Sequence, residues 1–380
     1  MKTQQVRVQD AVGLPLAYDL TEIVPGQRKG AVLRRGHIIR AEDLPVLARI
    51  GKSLVLVLEM EPGEVHEDEA ALRLANMLGG SGVRISQPGE AWADLRAERG
   101  GLLKVDAARL LEINQIGELL VATRHNNDVV KAGELVAKAK VVGLVVQEWR
   151  LRKAAGIAAT AGTSATVGAS NNTAGTSAAV GDGAGSSAVA RPVIQVIPFQ
   201  NRQAAIIVTG REVYEGRVKD AFGPLLASKL AEYGSIAADV TIVPDVAPEI
   251  AAAIREALDR GADLVLVTGG MSPDDSTPEG VRQAGAKVEF YGMPVSPGAM
   301  TLMAYADRVD GHRGGPGDVP IMGVPAGLLA KGRGIFDVLL PRLLAGERLR
   351  ASDMARYGHG GLCPGCQDCT FPMCAFGKGI

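Results

Sequence analysis

The sequence predicts an α/β protein: a three-layer domain on a mostly parallel sheet, preceded by a mixed, β-rich N-terminal region. Three observations predict it. Beyond residue 192, short apolar runs alternate with amphipathic stretches, the pattern of parallel strands joined by right-handed helical crossovers. One run, Asp263-Leu264-Val265-Leu266-Val267, is continuously apolar, as a strand covered on both faces must be. Between the halves, Ala154 to Ala190 is almost purely Ala, Gly, Ser and Thr, with Asp182 its one charge. Such a segment lacks the bulk to bury and reads as a flexible linker or disordered insertion. The expected organisation is residues 1–153, a linker at 154–191, an α/β domain at 192–346, and a Cys-rich tail at 347–380.

In the first region, Ala31–Ile39 and Ser53–Leu58 read as strands. Glu42–Ile50 reads as a helix, with Leu44, Leu47 and Ile50 at helical spacing and Gly51 as its stop. Glu67–Leu78 is a second helix, and Val129–Val136 carries hairpin punctuation at Ala132-Gly133. His37, His66, His125 and His312 show no metal-ligand spacing and read as surface or loop residues, and Trp92 and Trp149 as packing residues.

In the α/β region, Ala204–Val208 is a strand, and Phe222, Leu226, Leu230 and Tyr233 mark one helix face that ends at Gly234. Ile236–Val243 is a strand, and Pro248–Arg260 a helix with Pro in its first turn. Val288–Tyr291, Leu302–Tyr305 and Pro320–Val324 are further strands, and Ala326–Leu344 closes as one long helix.

Bulk composition narrows the function. With 41 basic and 42 acidic side chains the net charge is −1, which offers no field for nucleic acid or acidic lipid. The N-terminus lacks the apolar core of a signal peptide and no apolar run is long enough to span a bilayer, so a cytoplasmic protein with neither a nucleic-acid nor a membrane partner is expected.

In parallel sheets, ligands sit beyond the carboxyl ends of the strands. Those ends carry Thr209-Gly210-Arg211-Glu212, then Pro244-Asp245, then Thr268-Gly269-Gly270-Met271-Ser272-Pro273-Asp274-Asp275. Ser296-Pro297-Gly298 and Gly323-Val324-Pro325-Ala326-Gly327 follow. Gly269 and Gly270 let backbone N–H groups approach an anion, and the helix starting near Pro278 adds its dipole. Asp245 and Asp275, on neighbouring loops, suit Mg²⁺, which binds through one or two carboxylates plus ligand oxygens. Each is also open to the plainer reading of a helix cap.

Thr268-Gly269-Gly270, the following turn and Asp275 resemble the signature of the molybdopterin-binding domain. Molybdopterin molybdotransferases, molybdopterin adenylyltransferases and a competence-damage family share that domain, and the resemblance covers about residues 192–346. Thr209-Gly210, Glu212, Gly216 and Asp220 are similar to its first loop, and Asp245 to the acid after its second strand. Ser296-Pro297-Gly298 and Pro325 to Gly327 resemble its later loops. Leu14–Asp19, Lys29–Gly36 and Leu47–Gly51 resemble the entry region of the molybdotransferase type.

The resemblance implies attack of molybdate on the dithiolene of adenylated molybdopterin with release of AMP. It places Asp245 and Asp275 in the catalytic and Mg²⁺ roles. Thr209, Gly210, Glu212, Asp220, Thr268, Gly269, Gly270, Ser272, Asp274, Ser296, Pro297, Gly298, Pro325 and Gly327 would line the ligand. It also implies a homodimer. The chain departs from the family pattern: Ser296 and Ala299 replace flanking lysines, Ala326-Gly327 replaces Asn-Pro, Arg211 replaces an acid and Phe222 replaces Asn. These losses leave open a carrier that binds molybdopterin or finished cofactor and delivers it to a molybdenum hydroxylase client.

All four cysteines fall in the last 18 residues, as Cys363, Cys366, Cys369 and Cys374. Clustered thiols without an export signal read as metal ligands. The spacing favours a [4Fe-4S] cluster, since Cys₄ zinc sites usually split into two separated pairs; Zn²⁺ stays open as the alternative. Gly358–Cys363 resembles a tail seen on molybdopterin-binding proteins associated with molybdenum hydroxylases.

Overall fold

A computed structural model describes residues 2–24, 28–89, 92–160, 191–307, 317–325, 327–328 and 333–378. In its N-terminal region two apolar clusters form around antiparallel pairings. Val8, Leu16, Ile39, Leu47, Val55 and Val57 fill the first, beside the paired strands Lys2–Arg7 and Leu54–Glu59. The strand expected over Ala31–Ile39 stops at Leu33. Gly36 turns the chain there with φ +89°, and a Cβ at that position would lie 2.7 Å from Glu67 Oε1. The helix expected over Glu42–Ile50 opens as a 3-10 turn at Ala41–Asp43 and continues as Leu44–Arg49.

The helix Glu67–Leu78 has its expected bounds. It buries Ala70, Ala71, Leu74, Ala75 and Leu78 in the second cluster, above a four-stranded antiparallel sheet. The hairpin expected over Val129–Val136 does not form. Val129–Val130 pairs with Gly101–Val105, whereas Leu135–Val141 pairs with Trp92–Ala97 and Leu119–Thr123. Gly133, at φ +84°, donates its N–H to Ala97 O at 2.8 Å, so the turn hands the chain from one sheet to another.

His66 is buried and donates from Nε2 to Gly36 O at 2.8 Å, a correction to its reading as a surface residue. Trp92 and Trp149 are exposed, with the ammoniums of Lys138 and Lys140 over the Trp92 ring and the Arg150 guanidinium over Trp149. His312 lies outside the described residues.

The helix Glu148–Ala159 runs into the small-residue stretch, because Leu151, Ala154 and Ala158 are buried and Arg109 donates to Ala158 O at 2.8 Å. Residues 161–190, where a flexible linker is expected, lie outside the description. Ile194–Ile197 pairs with Gly101–Val105, so the α/β fold begins after that strand and not at residue 192.

Elements of the α/β domain are numbered from its start. The strands are β1 (Gln203–Thr209), β2 (Ile236–Val243), β3 (Leu264–Gly269), β4 (Lys287–Tyr291), β5 (Leu302–Asp307) and β6 (Asp318–Pro325). The helices are α1 (Arg211–Tyr214), α2 (Phe222–Ala231), α3 (Ala247–Asp259), α4 (Thr277–Gln283), α5 (Ile335–Leu344) and α6 (Ala351–Ala355). The six-stranded sheet has the order β2-β1-β3-β6-β5-β4. Its first four strands are parallel and β5 is antiparallel to both neighbours.

Strand alternation distributes the core. Ala204, Ile206, Val208, Leu264 and Leu266 face α2 and α5, with Leu226, Leu230 and Leu339 packed on them. Ala205, Ile207, Val265 and Val267 face α3 and α4, with Ile250, Ile254 and Val281. Helices thus cover both faces, the expected three layers. The single long helix expected over Ala326–Leu344 is interrupted. Arg333 and Gly334 are not helical, and the Gly334 N–H donates to Asp337 Oδ2 at 2.8 Å to start α5 afresh. Ala326 lies outside the described residues.

A buried polar seam joins the N-terminal region to this domain. Lys104 donates to Glu347 Oε1 at 2.5 Å and to Asn127 Oδ1 at 2.6 Å. Arg342 donates to Glu347 Oε2 at 2.7 Å and to the Tyr357 hydroxyl at 3.0 Å.

Candidate functional site at the carboxyl edge of the sheet

The chain leaves β1 towards β2 on one side and later enters β3 on the other, so the strand order reverses at the β1–β3 pair. A crevice opens at such a point beyond the carboxyl ends. Here it is bounded by Thr209-Gly210 and Thr268-Gly269-Gly270, with Pro325 of β6 beside Gly269. Gly269 has φ +146°, and a Cβ there would lie 1.8 Å from Thr209 Oγ1, so the backbones approach as only glycine allows. The Thr209 and Thr277 hydroxyls are hydrogen-bonded at 3.1 Å beneath this contact.

A Cβ on Gly270 would fall 2.2 Å from Asp275 Cγ, which shows how closely that carboxylate folds over the turn. Asp275 Oδ2 accepts the Ser272 N–H at 2.7 Å, and the Tyr291 hydroxyl donates to Met271 O at 2.5 Å from the end of β4. The turn is therefore braced from within and from across the sheet.

Neither acidic residue is a helix cap. The residues that cap α3 and α4 are Val246 and Ser276, with no side-chain capping bond at either. Asp245 Oδ1 is buried with no hydrogen-bond partner. Burial, then the Asp275 carboxylate, and more weakly Glu212, push the Asp245 carboxyl above its ordinary range against the pull of the Ser276 backbone. Three carboxylates from three strand ends thus converge electrostatically. Among the described residues no three acidic, His or Cys side chains are gathered tightly enough to hold an ion alone. The donor set fits a cation that takes one or two carboxylates and completes its shell with ligand oxygens and water.

The other expected residues divide into two groups. Ser272 and Asp274 are exposed on the turn, and Glu212 lies on α1 just past Gly210. Thr268 is fully buried and its hydroxyl has no partner. Asp220 is engaged elsewhere: its carboxylate accepts the N–H groups of Phe222 at 2.8 Å and Gly223 at 3.1 Å and fixes the start of α2. Ser296-Pro297-Gly298 lies in the β4–β5 loop at the same edge, with Pro297 beside Gly327. Arg211 is exposed and paired with Glu215 at 3.6 Å.

Sequence reasoning missed Tyr291, Thr277 and Ser276, whose hydroxyl donates to Asp245 O at 3.0 Å. A Tyr closing a strand, and Ser-Thr before Pro278, were the available signals.

Residues 205–345 match the family model described as "Probable molybdopterin binding domain". The α/β domain is thus similar, over nearly its whole length, to the molybdopterin-binding family. Residues 5–59 match a domain of unknown function. A CinA-like protein of Mycobacterium avium is 46% identical over 79 residues, which cover 20% of this chain and 18% of the relative. The Mycobacterium leprae CinA-like protein is 43% identical over the same shares. The chain thus matches under a fifth of the length of these relatives. The molybdopterin biosynthesis Mog protein of Mycobacterium ulcerans superposes with TM-score 0.28 and 24% identity, over 37% of this chain and 94% of that one. The molybdopterin biosynthesis MoeA protein of Pyrococcus horikoshii gives TM-score 0.31 and 14% identity, over 90% and 75%.

The cysteine tail docks on this α/β domain at its Pro-Gly loop. Ser296 donates its N–H to Gly361 O, and Cys363 donates to Ser296 O, both at 2.8 Å. Among the described residues, no helix is long and apolar enough to cross a membrane.

Proposed function

We propose that the carboxyl-edge crevice binds adenylated molybdopterin and that the chain inserts molybdate with release of AMP. The observation that carries this reading is the buried, unpartnered Asp245 Oδ1 beside Asp275 and Glu212, at strand ends where glycine lets the loops approach closely. The match of the domain to the family model supports the ligand class. In this reading the N–H groups of Gly210, Gly269 and Gly270 approach the phosphates, where a side chain would exclude them. The Tyr291 brace and the Thr209–Thr277 bond hold the two loops at a fixed separation, so binding meets a pre-formed site. Asp245 and Asp275 would hold Mg²⁺, which supplies charge neutralisation for the phosphates and the departing AMP.

Incubation with adenylated molybdopterin, molybdate and Mg²⁺ tests the reading. AMP appears with the natural chain and falls by at least about a hundredfold with Asp275→Ala. No AMP above background from the natural chain overturns it.

A second reading, a carrier that delivers cofactor to a molybdenum hydroxylase, is favoured by one observation. No lysine or arginine stands in Ser296–Ala299, and Arg333, which lines a cavity with Pro297, is paired with Asp337. It predicts tight ligand binding without AMP.

A further inference from the structure

We propose that Cys363, Cys366, Cys369 and Cys374 ligate one iron–sulfur cluster in the cavity they line, and that this cluster pins the Ser296–Gly298 loop at the carboxyl edge. The cavity has a volume of about 320 Å³, and all four cysteines line it together with Pro297, Phe371 and Arg333.

Both ends of the segment are anchored. Its start is held by the two backbone bonds to Ser296, and its end by the Gly377 N–H on Gly360 O at 3.1 Å and by Phe376, buried in the domain core. Between these anchors the chain has no helix or strand, and Gln367, Asp368, Thr370 and Met373 are exposed. A loop of this length, with so little to bury, needs a staple to hold one conformation. Cys363 and Cys374 pack against the core, while Cys366 and Cys369 are exposed on the outer side of the same space.

Of the two groups left open by spacing, the shared cavity favours the larger. A zinc ion bonds sulfur at about 2.3 Å, so four thiolates must converge on one point. No three of them are so gathered as they stand, although they share one cavity. A polynuclear cluster fills such a space and meets the thiolates at its corners. On assembly each thiol releases its proton to solvent and its sulfur bonds one iron. Ferrous and ferric iron in equal amounts, with sulfide, form the [4Fe-4S] unit without net oxidation or reduction. Because Cys363 is hydrogen-bonded to Ser296 and Pro297 is part of the wall, fixing the thiols also fixes that loop.

The test uses the full chain, purified without oxygen and reconstituted with iron and sulfide, and needs no pterin, so it is independent of the proposed reaction. About four irons and four sulfides per chain are expected, with the visible absorption of thiolate-bound iron. Cys366→Ser and Cys369→Ser, at exposed positions, should each lose that absorption while keeping the circular dichroism of the natural chain. Hydrogen exchange at the Ser296 and Cys363 amides should be at least tenfold slower with the cluster than after chelation. One zinc per chain and no iron, or no bound metal, overturns the cluster. Exchange that is the same with and without it overturns the pinning.

Discussion

Two acidic places in this chain are treated in opposite ways. At the seam between the regions, Glu347 is 8% exposed and surrounded by cations. Burial alone would raise its carboxyl, but Arg342 and Lys104 outweigh that and hold it below the ordinary range. At the sheet edge, burial and the neighbouring carboxylates Asp275 and Glu212 all push Asp245 the same way, and one of its oxygens has no partner. The seam is electrostatically complete and serves stability. The edge is incomplete, and stability gives no reason for it, since a buried oxygen without a hydrogen-bond partner costs free energy. In the proposed function, a cation and ligand would fill that deficit.

The largest effect is expected at the seam. Arg342→Met leaves Glu347 with Lys104 alone and should cost about 3–5 kcal/mol in chemical denaturation. A loss below 1 kcal/mol would mean that the seam is ornamental. Because the folded Glu347 pKa is lowered, its contribution is present above the ordinary carboxylate range and is lost as pH falls through the folded value. Glu347→Gln should therefore flatten the acid limb of the stability profile.

Asp245→Asn should act with the opposite sign. A raised folded pKa means a contribution that is full below the ordinary value of 3.8 and lost as pH rises through the folded one, so the charged form is a burden at neutral pH. Removing the charge should raise the Tm of the free protein, while Mg²⁺ should raise the Tm of the natural chain and leave the variant unmoved. A lower Tm in the variant would show that the carboxylate is already satisfied.

Tyr291→Phe should have the smallest effect, about 1 kcal/mol, since it deletes one hydrogen bond to Met271 O at a partly exposed position. If thermal unfolding shows no change, the brace across the turn carries no stability.

The same contrast explains what was legible. Leu264–Val267 announced a strand buried on both faces because its signal is local and uninterrupted, and Ile236–Val243 and Glu67–Leu78 were bounded as they stand. The break before α5 was not legible, because Gly334 is a tolerable helix residue until Asp337 takes its N–H. The false hairpin at Val129–Val136 and the burial of His66 depend on partners far away in sequence, Gly101–Val105 and Gly36. At the edge, the glycines and Asp245 stood out because strand ends were the place to look. Tyr291 did not, since its hydroxyl reaches Met271 only through the strand order. Asp220 has the spacing of a first-loop acid, yet its bonds to Phe222 and Gly223 belong to a helix start.

Pterin fluorescence would decide whether the β1–β3 edge is a molybdopterin site finished by its ligand. Molybdopterin would be titrated, with Mg²⁺ present, into the natural chain, Asp245→Asn and Gly270→Ala. The Gly270→Ala methyl displaces the Asp275 carboxylate, a side chain that can give way without unfolding the domain. Saturable binding to the natural chain, weakened at least tenfold in both variants, is the predicted result. Equal affinity in all three would contradict the account and move the site away from this edge.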